Sequence, residues 1–524
     1  MNEKIFSYIE NRPLYIIISL FLFHITVACL MSWLAYSPYF SALHNGQGFW
    51  KFSIDSTLYH QEALKLVDVL NEGKWKFWWS SYPTHLHVKW LALIYWMIGE
   101  PIPILFEVVN SFVWVLSVIL IYRASYYLFN RNVRVACFST LFLFFPSVVL
   151  SSTQLLREPF YILGLCFTLF GWVVLYRLDS NWRGVLSIVI GFFLVVSTRD
   201  YLTPIMFSIF LVWGLVAIFY KHVERAPVLA MLFIIYILSF GDSFSGVASF
   251  LSPLQMKGNG FVAEIDTDVQ PFHLYGTKTY NITRQPIKDK NGEVIYMVEE
   301  IIEENGKFYI FVNSKLIEII NPYKDISSNF LIGQVKKPST SEIIETKLSL
   351  KENNRFKERS KFLAYLDQKI AQRLGAMRHG FRKVNLNSGS GIDENIRYKS
   401  IEDILIYMPR ALQIGFLSPF PHQWFSPGRQ TGKVGKLIAG LETGIFYLVF
   451  IGFFWTLFAN KKILLPLIPV LIFSGSVIML LGFAVPNVGT IYRMRQGLLI
   501  PYFIIGVYGI SMLISQLKIK LSQK

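Results

Sequence analysis

Charge is scarce in this chain. Of its 524 residues only 16% are Asp, Glu, Lys or Arg, where a soluble globular domain carries about 25%. That shortage, with 53% hydrophobic residues and a mean hydropathy of +0.43, excludes an ordinary water-soluble fold and points to many membrane spans. Cysteine is scarcer still. Cys29, Cys137 and Cys166 are the complete set and all lie inside apolar runs, so neither a disulfide framework nor a metal cluster can be built from their spacing. No aromatic-plus-basic nucleic-acid motif is present. The net charge of +16 is instead expected to set membrane topology, because much of the excess lies in short loops between apolar runs. A cleavable leader is not expected either: the first apolar run is too long for an h-region and lacks a small-residue cleavage pattern, so it reads as a retained span. There is no internal repeat and no low-complexity tract.

What the chain has is long apolar runs. A span needs about 20 apolar residues, and the candidates are 13–35, 104–125, 133–151, 159–177, 184–198, 201–220, 226–246, 435–459, 463–482 and 496–516. Aromatic residues, 16% of the chain, gather near the ends of these runs, as interfacial belts require. The basic clusters at Lys4 and Arg12, Arg123, Arg131 and Arg134, Arg177 and Arg183, Lys221 and Arg225, Lys461 and Lys462, and Lys518, Lys520 and Lys524 all fall on one side of a ten-span arrangement. The positive-inside rule makes that side cytoplasmic. The expected fold is an all-α polytopic membrane protein of about ten transmembrane helices with a small β-rich extracytoplasmic insert, multi-pass in the inner membrane with both termini cytoplasmic.

Three regions follow. Residues 1–250 form an N-terminal transmembrane module whose first outer loop, 36–103, carries Asp55. Residues 251–400 form the extracytoplasmic insert, β-rich over 258–350 and basic and helical over 351–383, where ten Lys or Arg meet three Asp or Glu. That basic helix suits either anionic headgroups or simple solvation. Residues 401–524 return as an aromatic interfacial segment and the last spans. Within the first outer loop, Tyr59, Ala63, Leu66, Val67 and Leu70 follow helical spacing. The segment 86–98 is too short to cross and is expected as a second surface or partly inserted helix. Strand-like runs stand at 294–298 and 308–312, with turn signals at Asn291-Gly292 and Asn305-Gly306.

The residues that can carry chemistry lie on the expected outer face. Asp55 suits a general base, and equally a helix N-cap before the amphipathic segment. Glu158, in Arg157-Glu158-Pro159, suits a second acid or a helix start, where Pro and a carboxylate are both favoured. Arg199 and Asp200 stand at a turn against the topological trend, as a site or as a local pair. Arg493 and Arg495 flank Met494 and suit bidentate phosphate binding or headgroup snorkelling. Arg410, His422 and Arg429 in the interfacial segment, and Tyr59, His60 and Arg157 near the two acids, are further substrate-binding candidates. Glu442 lies inside the eighth span. Carboxylates and arginines on one face fit a hydroxyl attacking a phosphate-activated sugar: a base removes the proton and cations stabilise the departing phosphate. A divalent cation is compatible with this, but no residue pattern specifies one.

The segments Ile54-Asp55-Ser56-Thr57-Leu58-Tyr59, Gly99 followed by Asn110, Leu156-Arg157-Glu158-Pro159 and Ser197-Thr198-Arg199, in this order and spacing, resemble the GT-C superfamily of polyprenyl-phosphate-sugar glycosyltransferases, close to protein O-mannosyltransferases and aminoarabinose transferases. The resemblance covers about residues 1–220 and, loosely, the last span. It implies a membrane bundle in which Asp55 is the catalytic base, Glu158 a second active-site acid and Arg199 a donor-phosphate contact. Relatives often carry Asp where Glu158 stands, and the β-rich insert departs from their pattern. The expected activity is inverting transfer of a sugar from a polyprenyl-phosphate donor to a glycan, lipid-linked or protein acceptor on the extracytoplasmic face, among membrane lipids and without nucleic acid. An O-antigen-type polymerase or ligase, resting on Arg410, His422 and Arg429, and a lipid-linked glycan flippase or transporter are the alternatives.

Overall fold

A computed structural model describes residues 13–53, 55–82, 85–178, 181–219, 224–240, 277–288, 294–304, 307–312, 315–319, 367–384, 389–398, 400–425 and 432–522. Ile54, Arg429, residues 351–366 of the expected basic helix, and 258–276 and 320–350 of the expected β-rich stretch lie outside the described residues. The chain forms two compact units. One comprises Met1–Pro253 with Tyr365–Lys524, the other Leu254–Ala364.

The larger unit is helical. Its helices are α1 (Pro13–Tyr36), α2 (Asp55–Asn71), α3 (Trp75–Ser80), α4 (Leu86–Ile98), α5 (Phe106–Leu128), α6 (Val133–Thr140), α7 (Pro146–Ser152), α8 (Glu158–Arg177), α9 (Asn181–Val196), α10 (Thr203–Phe219) and α11 (Arg225–Phe240). The second unit contributes strands β1 (Thr277–Lys288), β2 (Val294–Glu304), β3 (Lys307–Val312) and β4 (Lys315–Ile319), paired antiparallel in sequence order. Helices α12 (Gln372–Val384), α13 (Ile401–Leu417), α14 (Gly432–Ala459), α15 (Ile468–Ala484), α16 (Val488–Met494) and α17 (Ile500–Ser522) complete the larger unit.

Seven described helical segments are long and apolar enough to cross a membrane, and an eighth if the bent pair Val133–Phe144 and Pro146–Ser152 is one span. The chain is a multi-pass membrane protein. The bend is 62° and falls where Pro146 has no N–H to give and forces Phe145 out of the helical region, its ψ reaching 132°. Run 184–198 falls mostly on α9 and residues 226–240 of the run 226–246 on α11; each helix has 16 described residues, fewer than a perpendicular crossing needs.

Lipid supplies no hydrophobic drive between helices, so close backbone approach and polar links do the joining. On the α8–α9 seam Gly164 and Gly171 face Gly191 and Gly184, and a Cβ on Gly191 would stand 2.6 Å from the Gly164 carbonyl oxygen. His24 of α1 lies 2.9 Å from the Ser111 hydroxyl of α5 and 2.7 Å from that of Ser152 in α7. The amphipathic helix α2 buries Tyr59, Ala63, Leu66 and Leu70, the helical stripe, and packs on α4, which buries Val88, Leu91, Ala92 and Tyr95.

Candidate functional site

Four segments far apart in the chain bring their charges together. Arg493, in the last turn of α16, donates from Nη2 to Asp55 Oδ2 at 2.9 Å. Its Nε lies 3.7 Å from Glu158 Oε1. Arg199 Nη2 donates to that same Glu158 oxygen at 3.3 Å. Charges therefore alternate along Asp55, Arg493, Glu158 and Arg199. The side chains of Asp55 and Arg493 are 32% and 31% exposed, those of Glu158 and Arg199 only 5% and 2%. The row has one open end and one buried end.

Local sequence explains each placement. Asp55 and Glu158 are the first residues of α2 and α8, where unpaired N–H groups favour a carboxylate. Pro159 follows Glu158 at a position where its missing N–H is harmless. Arg199 directly precedes the single 3-10 turn Asp200–Leu202. The α4 start is tied to this turn, Leu86 N–H donating to the Ser197 carbonyl at 3.3 Å. Ser53, two residues before Asp55, donates to Gln154 Oε1 at 3.2 Å, which joins the first loop to the turn that presents Glu158.

The buried end is well furnished. The Arg199 guanidinium stacks over the Tyr161 ring at 4.4 Å and donates from Nη1 to the Tyr201 hydroxyl at 3.0 Å. Burial works against its charge, yet Tyr201 and Glu158 outweigh it and hold the guanidinium above its ordinary range. The same balance holds at Arg493, where Glu158 and Asp55 outweigh burial. Both arginines stay cationic. Tyr59 adjoins the open end. Burial, with Asp55 and Glu158 adding to it against the pull of Arg157, pushes its hydroxyl up to about 12, so it serves as a neutral donor or acceptor.

Behind Tyr59 stand two histidines. Its ring meets His85 at 5.1 Å and His87 at 4.5 Å, both edge-on. Glu62 Oε2 lies 3.3 Å from His85 Nδ1. His87 is wholly buried, neither ring nitrogen has a hydrogen-bond partner among the described residues, and burial holds it well below the usual imidazole range. It is neutral.

The structure thus brings together Asp55, Glu158, Arg199, Arg493 and Tyr59. Arg157 stands at the edge, donating to the Thr198 carbonyl at 3.4 Å. The other described candidates are engaged elsewhere. Arg495 donates to the Gly415 carbonyl at 2.5 Å and to the Ser418 carbonyl, and is 1% exposed. Residues two apart on a helix point about 200° from each other, so α16 aims Arg493 at the acids and Arg495 away. Between the last two runs expected as spans, 463–482 and 496–516, a helix starts at Val488, capped by the Asn487 side chain, which accepts the Thr490 N–H at 2.9 Å. His60 Nδ1 lies 2.9 Å from the Tyr95 hydroxyl. Arg410 pairs with Asp393 at 2.9 Å and donates to Gln413 at 2.7 Å, and His422 is exposed and stacks on Phe420.

Sequence reading missed Tyr161, Tyr201, Glu62, His85 and His87. Only the His85-x-His87 pair carries a visible signal. Among the described residues no group of three or more His, Cys, Asp or Glu is arranged to hold a metal ion. Chemically, the row offers a part-exposed carboxylate beside a part-exposed guanidinium, and the guanidinium is backed by the buried Glu158–Arg199 pair. No family model, curated protein or solved structure matches this chain.

Proposed function

We propose that this chain is an integral-membrane glycosyltransferase. It moves a sugar from a polyprenyl-phosphate donor to an acceptor hydroxyl on the extracytoplasmic face of the inner membrane. The observation that carries this reading is the Asp55–Arg493–Glu158–Arg199 row, with its open end at Asp55 and Arg493. The donor phosphate competes with Asp55 for Arg493. Once the phosphate takes the guanidinium, Asp55 is released to act as the base. Asp55 then removes the acceptor proton, the acceptor oxygen bonds to the anomeric carbon, and the carbon–oxygen bond to phosphate breaks. One direct displacement inverts the anomeric configuration. Glu158 and Arg199 keep Arg493 oriented, so that its charge meets the leaving phosphate without reorganisation.

On a topology of ten crossings, counting the bent pair and the short helices α9 and α11, Asp55, Glu158, Arg199 and Arg493 share one face and both termini are cytoplasmic. The β-rich insert at 258–350 sets acceptor choice. The acceptor is a glycan, a lipid-linked glycan or a protein. The test compares two variants for cell-surface glycan at equal membrane levels of protein. Asp55→Asn abolishes the glycan and Arg410→Ala leaves it. Retention in Asp55→Asn with loss in Arg410→Ala favours the polymerase or ligase reading instead.

A further inference from the structure

One carboxylate outside the charged row ties together the segments that deliver Glu158 and Arg493. Glu442 lies in α14 and is 4% exposed, at a depth where an unpaired acid is expensive. All its partners here come from other elements. Oε1 accepts the Ser147 backbone N–H at 2.9 Å and Oε2 accepts the Ser147 hydroxyl at 2.5 Å. The Tyr492 hydroxyl donates to the same Oε2 and lies 3.1 Å from the Ser147 hydroxyl oxygen. Ser147 is the second residue of α7, where the backbone N–H has no helical acceptor. From there α7 leads through the turn 153–157 to Glu158. Tyr492 immediately precedes Arg493. On the far side of Arg493, Arg495 is locked to the Gly415 and Ser418 carbonyls. Arg493 is thus the more exposed side chain between two fixed anchors, 31% exposed against 1% for Arg495.

We infer that Glu442 is a positioning residue: through Tyr492 and Ser147 it sets the place of Arg493 between the two acids, and so the grip on the donor phosphate. This rests on the glycosyltransferase reading. Glu442 touches no reacting atom. Its effect passes through one guanidinium, and that makes it separable from a general contribution to packing.

The test is a double-mutant cycle on the full chain in lipid nanodiscs, titrated with a polyprenyl phosphate. Tyr492→Phe, which removes only the hydroxyl, weakens binding roughly fivefold in the parent background. In an Arg493→Ala background it has no further effect, because the group it positions is gone. Where Tyr492→Phe lowers the folded yield, Ser147→Ala, which keeps the backbone N–H, replaces it in the same cycle with the same pattern expected. An equal penalty in both backgrounds overturns the positioning role while leaving the phosphate assignment standing. An Arg493→Ala protein that binds polyprenyl phosphate as the parent does overturns both.

Discussion

Glu158 and Asp55 are chemically alike, yet their surroundings assign them different work. Glu158 answers a guanidinium that is 2% exposed. Removing one partner of a buried pair leaves an uncompensated charge and costs about 3–5 kcal/mol. Asp55, a third exposed, takes part in a pair of the kind worth about 1 kcal/mol or less. Glu158→Ala is therefore expected to lower the thermal unfolding midpoint in detergent well below that of Asp55→Asn. Equal midpoints would place the stabilising contact elsewhere. His87 makes a second prediction, about pH. Its native pKa lies below the unfolded value of about 6.5, so between the two the unfolded chain binds more protons. Stability then rises with pH through that window and falls as pH drops below about 6.5. Thermal midpoints recorded against pH check this: His87→Asn flattens the acid-side decline, and an unchanged decline assigns it to other groups. The positions of Asp55 and Glu158 were legible in the sequence, because helix starts and topology both point there. The difference in their burial was not, since it depends on Tyr161 and Tyr201, which carry no motif.

Elements here are joined by small residues as much as by large ones. A methyl group on Gly191 meets the Thr168 side chain and the Gly164 carbonyl, whereas one on Gly380 of α12 meets nothing within 4 Å. Gly191→Ala should cost about 1–3 kcal/mol by forcing the α8–α9 seam apart, while Gly380→Ala should gain roughly 0.5–1 kcal/mol by stiffening the unfolded chain. Opposite shifts of the detergent unfolding midpoint confirm the pair, and shifts of the same sign contradict it. The apolar runs were easy to read as helices because lipid leaves few alternatives to one. What escaped reading were features that depend on partners. The 62° bend at Phe145-Pro146 hides inside a continuous apolar run. Helix α16 is one of the shortest and stands between Asn487 and the anchored Arg495. As a loop, residues 493–495 can present both arginines to one phosphate. As a helix they cannot.

At the scale of the whole molecule, the Asp55–Arg493 pair spans most of the chain, and no local pattern announces it. Only the shared face was legible, through topology: an odd number of crossings between Asp55 and Glu158 would separate the acids, and the ion-pair row requires that they share a face. The proposed ten-crossing topology also predicts accessibility. With the three native cysteines replaced, Gln61→Cys, on the exposed face of α2, should label with an impermeant maleimide in intact spheroplasts, and Lys461→Cys, also exposed, only after permeabilisation. Labelling of both before permeabilisation would break the topology. On the proposed reading, the open carboxylate of this row takes a proton so that a lipid-linked sugar can be transferred. Its most direct test is mass spectrometry of polyprenyl-phosphate-linked sugars in cells that lack this protein and are complemented with either the parent or Asp55→Asn, at matched levels in the membrane. The parent is expected to clear an accumulated lipid-linked sugar and Asp55→Asn to leave it in place. Clearance by Asp55→Asn equal to the parent's would contradict it.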